Sequence, residues 1–503
     1  MTPLLAAALI DGWGAAIVAA YLVALLVIGW LGKRASASRS MADFFLAGRG
    51  LGTFVLLLTL FATQYSGNTL VGMSGKTYRV GYQFLVAVPL FVALVGVAMV
   101  EAPGLQRLGR RRGYITLADA VHDRLRSRTL TILVALVCVW ALVNFLVSNL
   151  VAVGYLVERA TEGVVSSSTA IVALALVMLA YETLGGLRAV VWTDVLQGVL
   201  IGAGTLILAV TVIVHYGGPE HLDSELSTTA PQLLAAPDFV GCVSWSSTLV
   251  LIGVGAAIYP HAVQRYYAAR SGETLRRSLR WMLVMPFFVA GFAVLMGLTG
   301  RVEFPDLENK ESEQVTMLLL ADLTREAAWL RPIVVLFLTA VLAAIMSTVD
   351  SVLLALSATV TQDFYRPLRG PKVSEAHLTR VGKLTSWALM GGAVLLALTL
   401  SKSVWRITEI KLEVMIQAAP AVFLALYGRD IRPWPLASGL VVGVVIAVAP
   451  IASEVLAGLG VVETTLPEKL LGLHLGVLGL AANVLTTALL WRVPWKDTHD
   501  PVA

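Results

Sequence analysis

Between Leu338 and Ser357 an otherwise apolar run, LTAVLAAIMSTVDSVLLALS, carries Ser347, Thr348, Asp350 and Ser351. Residues three and four apart share a helix face, so the carbonyl of Ala344 lies beside the hydroxyls of Ser347 and Thr348, and Ser351 follows one turn on. A neutral carbonyl and two hydroxyls suit a hard cation held weakly by oxygen. A second stretch would complete such a site. The segment from Phe61 to Gly75 reads FATQYSGNTLVGMSG, and Ser-Gly-Asn in its middle is poor helix material. A break there frees the carbonyls of Ala62 and Tyr65, giving five oxygens with Ala344, Ser347 and Thr348, enough for sodium. The same break offers Gln64, Ser66, Asn68 and the amides around Gly67 to a small solute, carboxylates included. The plainer alternative for Ser347 and Thr348 is close packing between membrane helices.

The elements that must position these groups are membrane helices. The 503 residues are 57% hydrophobic and 14% charged, with mean hydropathy +0.81, whereas soluble chains carry about a quarter charged residues. Apolar segments of about 20 residues are needed per crossing, and about thirteen fit the chain, which leaves no separate soluble domain. We expect an all-α, multi-pass protein of the plasma (inner) membrane. The two cysteines and seven histidines form no disulfide framework and no metal-ligand pattern. No nucleophile–base pair recommends an enzyme. The net charge of +5 is spread over short loops, which is a topology signal and excludes a nucleic-acid partner.

Most of the 37 Lys and Arg fall on the side of the loop holding Arg107 to Arg128. The positive-inside rule makes that side cytoplasmic, with the N-terminus outside and the C-terminus inside. The first apolar run, Ala15 to Leu31, reads as a retained helix. We expect residues 1–49 to form an extra helix and a cytoplasmic loop. Residues 50–215 and 216–430 would be two inverted repeats of five helices each, and 431–503 two peripheral helices and a short tail. The outside connections 217–241 and 301–330 read as solvated connectors, each able to hold a short surface helix acting as a lid.

A second helix is expected to break. Leu251 to Arg265 reads LIGVGAAIYPHAVQR, where Pro260 removes an amide and clashes with the carbonyl four residues back. Interrupted segments at matching places in two halves point to a transporter's binding site, which adds Tyr259 to the solute candidates. Proline kinking a packed helix is the alternative. Asn144 is a further solute candidate, and Asn149 reads as glue between helices. A buried acid is functional by default in a membrane. Asp194 could hold a second cation with Asp350 and Ser351, carry a proton, or cap the Gly185-Gly186 turn.

With these residues in place, the chain resembles the sodium/solute symporter family, which has the LeuT-type inverted-repeat fold. The similarity rests on Asp43-Phe44-Phe45-Leu46-Ala47-Gly48-Arg49 and on the run from Gly185 through Trp192-Thr193-Asp194 to Gln197. Pro260-His261 with Gln264-Arg265, and Ala344 through Ser347-Thr348, complete it. The resemblance implies sodium-coupled uptake of a small organic solute (a monocarboxylate, an amino acid or similar) by alternating access, with sodium on Ala62, Tyr65, Ala344, Ser347 and Thr348. It also implies that Asp194 and Ser351 match a second sodium site of some members, where Asp350 stands in place of a hydroxyl residue. In proline-transporting members the position of Gln64 is acidic and a tryptophan stands near Ile252, which argues against proline here. The run Tyr259-Pro260-His261-Ala262 is similar to monocarboxylate-transporting members. Sodium is the expected coupling ion, and no organic cofactor is expected. The expected partners are a small-molecule substrate and the lipid bilayer, with no obligate protein partner. A solute sensor that signals without flux is the alternative function.

Overall fold

Apolar runs of the length a bilayer demands fold as helices almost throughout. The computed structural model describes residues 9–36, 38, 40–370, 372–399, 411–428, 431–458, 461 and 464–492. Among them, nine helical runs are long and apolar enough to cross a membrane, joined by the shorter apolar helices Thr53–Gln64 and Leu475–Trp491. The all-α expectation needs one small correction. Lys469–Leu470 pairs antiparallel with Leu473–His474, because Gly472 at φ 87° closes a tight hairpin, and the last helix starts only at Leu475.

The run Ser167–Tyr216 is 50 residues long, about 75 Å at helical rise, more than twice the apolar thickness of about 30 Å. Gly186 (φ 57°, ψ −148°) divides it into two legs. A side chain at this position would run into Phe44, so glycine is required both by the backbone and by the space. The helix Gly12–Arg34 lies along these legs. A Cβ on Gly29 would stand 2.9 Å from Cα of Tyr181, and one on Gly32 3.1 Å from Cα of Ala189, so the first helix is packed into the body.

The helix Arg331–Thr359 is the innermost, with 83% of its most apolar stretch buried. It packs against both legs of Ser167–Tyr216, against Arg128–Ala160 and against Thr53–Gln64. We call it the central helix. The 301–330 connection departs from the solvated connector expected. Val315 through Thr324 are buried, and a Cβ on Gly75 would lie 2.7 Å from the Ser312 carbonyl. The segment is sealed onto the second half of the first broken helix, because VTMLLLADLT is too short to cross a membrane yet too apolar to face water.

Asp43 ties the 36–46 corner to the second leg. Its Oδ1 lies 2.8 Å from Nη2 of Arg188, and its Oδ2 accepts from Ser36 Oγ at 2.6 Å and Ser38 N–H at 3.1 Å. Burial alone would raise its pKa, but these bonds and the guanidinium more than reverse it, leaving it below the ordinary 3.8. A depressed carboxyl stabilises the fold above its unfolded-state pKa and loses that contribution as acidity passes the folded value. Asp43→Ala should therefore lower the thermal midpoint of the detergent-purified protein at pH 7. The gap from wild type should narrow as pH falls below about 4; a gap independent of pH would leave the carboxyl without this role.

Candidate functional site

The first break is real backbone geometry. Helix Thr53–Gln64 ends at Tyr65, whose φ −105° and ψ 93° are extended, and the chain resumes through a wide turn at Asn68–Gly72. Phe61 and Ser66 carbonyls are taken up around the break, whereas no backbone donor among the described residues reaches Ala62 or Tyr65 across it. Gly67 explains where the break lies. A Cβ there would collide with Ile345, at 2.6 Å from Cδ1, so glycine lets the unwound backbone touch the central helix one residue from Ala344.

Ala62, Tyr65, Ala344, Ser347 and Thr348 are all wholly buried, on two elements in contact. The hydroxyls are committed as donors. Thr348 Oγ1 donates to the Ala344 carbonyl at 2.9 Å, and Ser347 Oγ donates to Asp194 Oδ1 at 2.5 Å. A hydroxyl that has spent its proton elsewhere keeps its lone pairs for a cation.

The second break also forms. Phe239–Ala257 ends, Tyr259 turns extended (φ −57°, ψ 132°), and Pro260 opens a new helix to Ala268, the first position, where a missing N–H costs nothing. Leu51 N–H donates to the Ala268 carbonyl at 3.1 Å, and Arg270 N–H donates to that of Leu51 at 3.0 Å. The entry of the first broken helix is thus tied to the exit of the second.

Sequence reasoning did not foresee what sits beside Asp194. The Arg265 side chain is fully buried, its Nη2 2.9 Å from Asp194 Oδ2, and it also donates to Ser351 Oγ. Its Nε donates to Thr59 Oγ1 at 2.8 Å, its Nη1 to the His261 carbonyl at 3.0 Å, and Thr59 donates in turn to Asp194. A guanidinium therefore holds both residues that the second-cation expectation shared between Asp194 and Ser351. Asp350 is not brought into that cluster. Its Oδ2 accepts from the Tyr181 hydroxyl, and its Oδ1 is buried without a partner.

The solute candidates separate. Ser66 is buried and Gln64 half-buried; the Asn68 side chain lies outside the described residues. Asn144 spends its amide on its own helix, Nδ2 donating to the Trp140 carbonyl at 2.8 Å, and Asn149 does likewise to Phe145 at 2.9 Å. Tyr259 lies against Phe145 and His261, with ring centroids 5.7 and 5.0 Å away. Its hydroxyl, His261 Nδ1 and both amide atoms of Gln264 are buried with no hydrogen-bond partner.

Lys411 was missed altogether. It is 3% exposed, and its Nζ lies 3.1 Å from the Phe145 ring centroid and 5.9 Å from that of Tyr259. A lysine at a membrane's centre costs about 2.5–3.5 kcal/mol on insertion scales, and a desolvated cation–π contact returns about 2 or more of that. The sequence signal was available: Ile410-Lys411-Leu412-Glu413 places two charges at the start of an apolar span.

A family model for sodium:solute symporters matches residues 44–430. The chain belongs to the sodium:solute symporter family. It is 28% identical over 470 residues to the osmoregulated proline transporter OpuE of Bacillus subtilis, covering 91% of this chain and 92% of the relative. It is 27% identical to a sodium/proline symporter of Staphylococcus aureus, over 86% of this chain and 85% of that one. In fold it is similar to a Na+-coupled sialic acid symporter, solved in a substrate-bound outward-open state. The TM-score is 0.75 at 18% identity, over 95% of this chain and 96% of that one. A weaker likeness, TM-score 0.53 at 15% identity over 86% and 97%, joins it to MhsT in complex with L-phenylalanine. This symporter is a multi-pass membrane protein that couples solute transport to sodium, and it is not an enzyme.

Proposed function

We propose that the chain imports a small organic solute by alternating access, with sodium held on the carbonyls of Ala62, Tyr65 and Ala344 and the hydroxyls of Ser347 and Thr348. The reading is carried by one observation, the close approach of the first break to the central helix at Gly67. An ion shared by two elements that must move apart stabilises the state in which they touch. Solute then binds beside the same break, near Gln64, Ser66, Asn68, Asn144 and Tyr259, and ion and solute leave together once the inner side opens. The architecture in this reading is two inverted repeats of five helices within about thirteen crossings, divided at residues 49, 215 and 430, with the N-terminus outside and the C-terminus inside. The breaks at Tyr65 and Tyr259, and the division of Ser167–Tyr216 at Gly186, support that count.

Asp194, Asp350 and Ser351 take different parts. Arg265 fills the place of a second cation between Asp194 and Ser351 in this conformation. Asp350, paired only with a tyrosine, is the group placed to carry a proton.

The driving force is adequate. One charge crossing about 100 mV yields about 2.3 kcal/mol, and a tenfold sodium gradient adds about 1.4. Together they sustain about 500-fold accumulation of a neutral solute. A monovalent anion carried with one sodium moves no net charge and draws on the sodium gradient alone, about tenfold, so for such a solute a second ion matters. Reconstituted into liposomes, the protein should take up solute with an inward sodium gradient and not with potassium. Thr348→Ala should raise the sodium needed for half-maximal uptake by more than about tenfold, near the cost of one hydrogen-bonding oxygen. Uptake indifferent to sodium would end the symport reading, and unchanged sodium dependence would remove Thr348 from the site.

A further inference from the structure

We propose that Lys411 anchors the carboxylate of the transported solute, so that the cargo is a monocarboxylate lacking an amino group; this deepens, and rests on, the symport reading above. The ammonium is buried, and among the described residues no carboxylate lies within ion-pairing distance of it. Its charged neighbour in sequence is committed elsewhere, since Glu413 Oε1 lies 3.2 Å from His474 Nδ1. The faces of Phe145 and Tyr259 hold the cation in place, but a ring face does not neutralise it. A buried charge in a membrane requires a partner, and a transporter can leave that partner to its cargo.

A second observation marks the same place. The Tyr259 and His261 rings lie tilted against each other beside Phe145, and the Tyr259 hydroxyl, His261 Nδ1 and the Gln264 amide are all buried with no hydrogen-bond partner. They follow directly on the second break. Buried polar atoms are otherwise nearly always bonded, so the unpaired Tyr259 hydroxyl and His261 Nδ1 beside an unpaired ammonium describe a ligand's polar groups. The aromatic faces fit a small apolar body.

The surrounding acids argue against an amino acid. An α-ammonium needs an anionic or acceptor-rich partner, and Asp194 and Glu413 are already engaged. Asp194 is held by Arg265, Ser347 and Thr59 and Glu413 by His474. Lys411 itself would repel a second ammonium.

The test uses the full chain, purified and in proteoliposomes. Acetate, lactate and butyrate are compared with acetamide, lactamide and butyramide, and with alanine and proline, by sodium-driven uptake and by thermal stabilisation in detergent. At least one acid should be carried and should bind at least about 30-fold more tightly than its amide. Lys411→Met should erase that preference, and Lys411→Arg should keep part of it. The acid-against-amide comparison is made on the wild-type protein, so it stands even where Lys411→Met fails to fold. Equal binding of acid and amide, preference for the amino acids, or no response to any acid overturns the proposal. Sodium-driven uptake of alanine, proline or an amide in those cases leaves the symport reading intact. Acid preference with uptake indifferent to sodium does the reverse, supporting Lys411 and removing sodium coupling.

Discussion

Arg265→Ala should be among the most destabilising single changes in this protein, by about 3–5 kcal/mol. Arg265 and Asp194 are both without exposure, and each nitrogen of the guanidinium has an acceptor, on Thr59, His261, Asp194 and Ser351. Removing the cation strands a carboxylate in low dielectric, whereas removing both strands no charge. Arg265→Ala combined with Asp194→Ala should therefore recover much of the thermal midpoint lost by Arg265→Ala alone. The same geometry predicts a rescue. With the guanidinium gone, the oxygens of Asp194, Thr59, Ser347 and Ser351 surround a place just left by a positive charge. Sodium should raise the midpoint of Arg265→Ala more than that of wild type, and choline should not. A single variant as stable as wild type, or a double variant worse than the single, would show that this pair does not hold the site together.

Both breaks were legible because each has a local cause. Ser66-Gly67-Asn68 disfavours a helix by itself, and Pro260 cannot continue one, so no knowledge of distant partners was needed. The hydroxyl face of the central helix was legible for the same reason, since helical spacing alone groups Ala344, Ser347 and Thr348. Partners across the fold were not. Asp194 attracted attention as a cation ligand, but its counter-charge lies 71 residues away, and nothing local to Gln264-Arg265 says which acid that arginine meets. Asp350 finds Tyr181 at a separation of 169, a pairing that depends on how the first leg of Ser167–Tyr216 runs past the central helix. Lys411 was hidden differently. A lysine at the edge of an apolar span ordinarily reports topology, and only the rings of Phe145 and Tyr259 closing over it distinguish a buried charge from a loop one. The 301–330 segment misled by length, because a run too short to cross reads as a connector until Gly75 and Gly300 show how closely it is seated.

Gly67→Val should weaken sodium coupling more than it weakens folding, and it tests the contact on which the symport reading stands. The glycine is not needed for a left-handed backbone, since it is absent from the positive-φ residues; it is needed for room. A branched side chain would enter the space of Ile345 and approach Val341, whose Cγ1 lies 3.6 Å from the position of a Cβ. Overpacking of this kind costs about 1–3 kcal/mol, and the cheapest relief moves the unwound segment away from the central helix. That movement carries the Ala62 and Tyr65 carbonyls with it. Five oxygens contributed by two elements hold an ion only while the elements touch, so the sodium needed for half-maximal uptake should rise at least about tenfold. Trimming the obstacle should restore it: Ile345→Ala in the Gly67→Val background opens the space again, and sodium dependence should return toward wild type. Ile345→Ala alone should lose stability through the cavity it leaves with little change in sodium dependence. Sodium dependence unmoved by Gly67→Val would mean that the distance between the broken helix and the central helix does not govern ion binding.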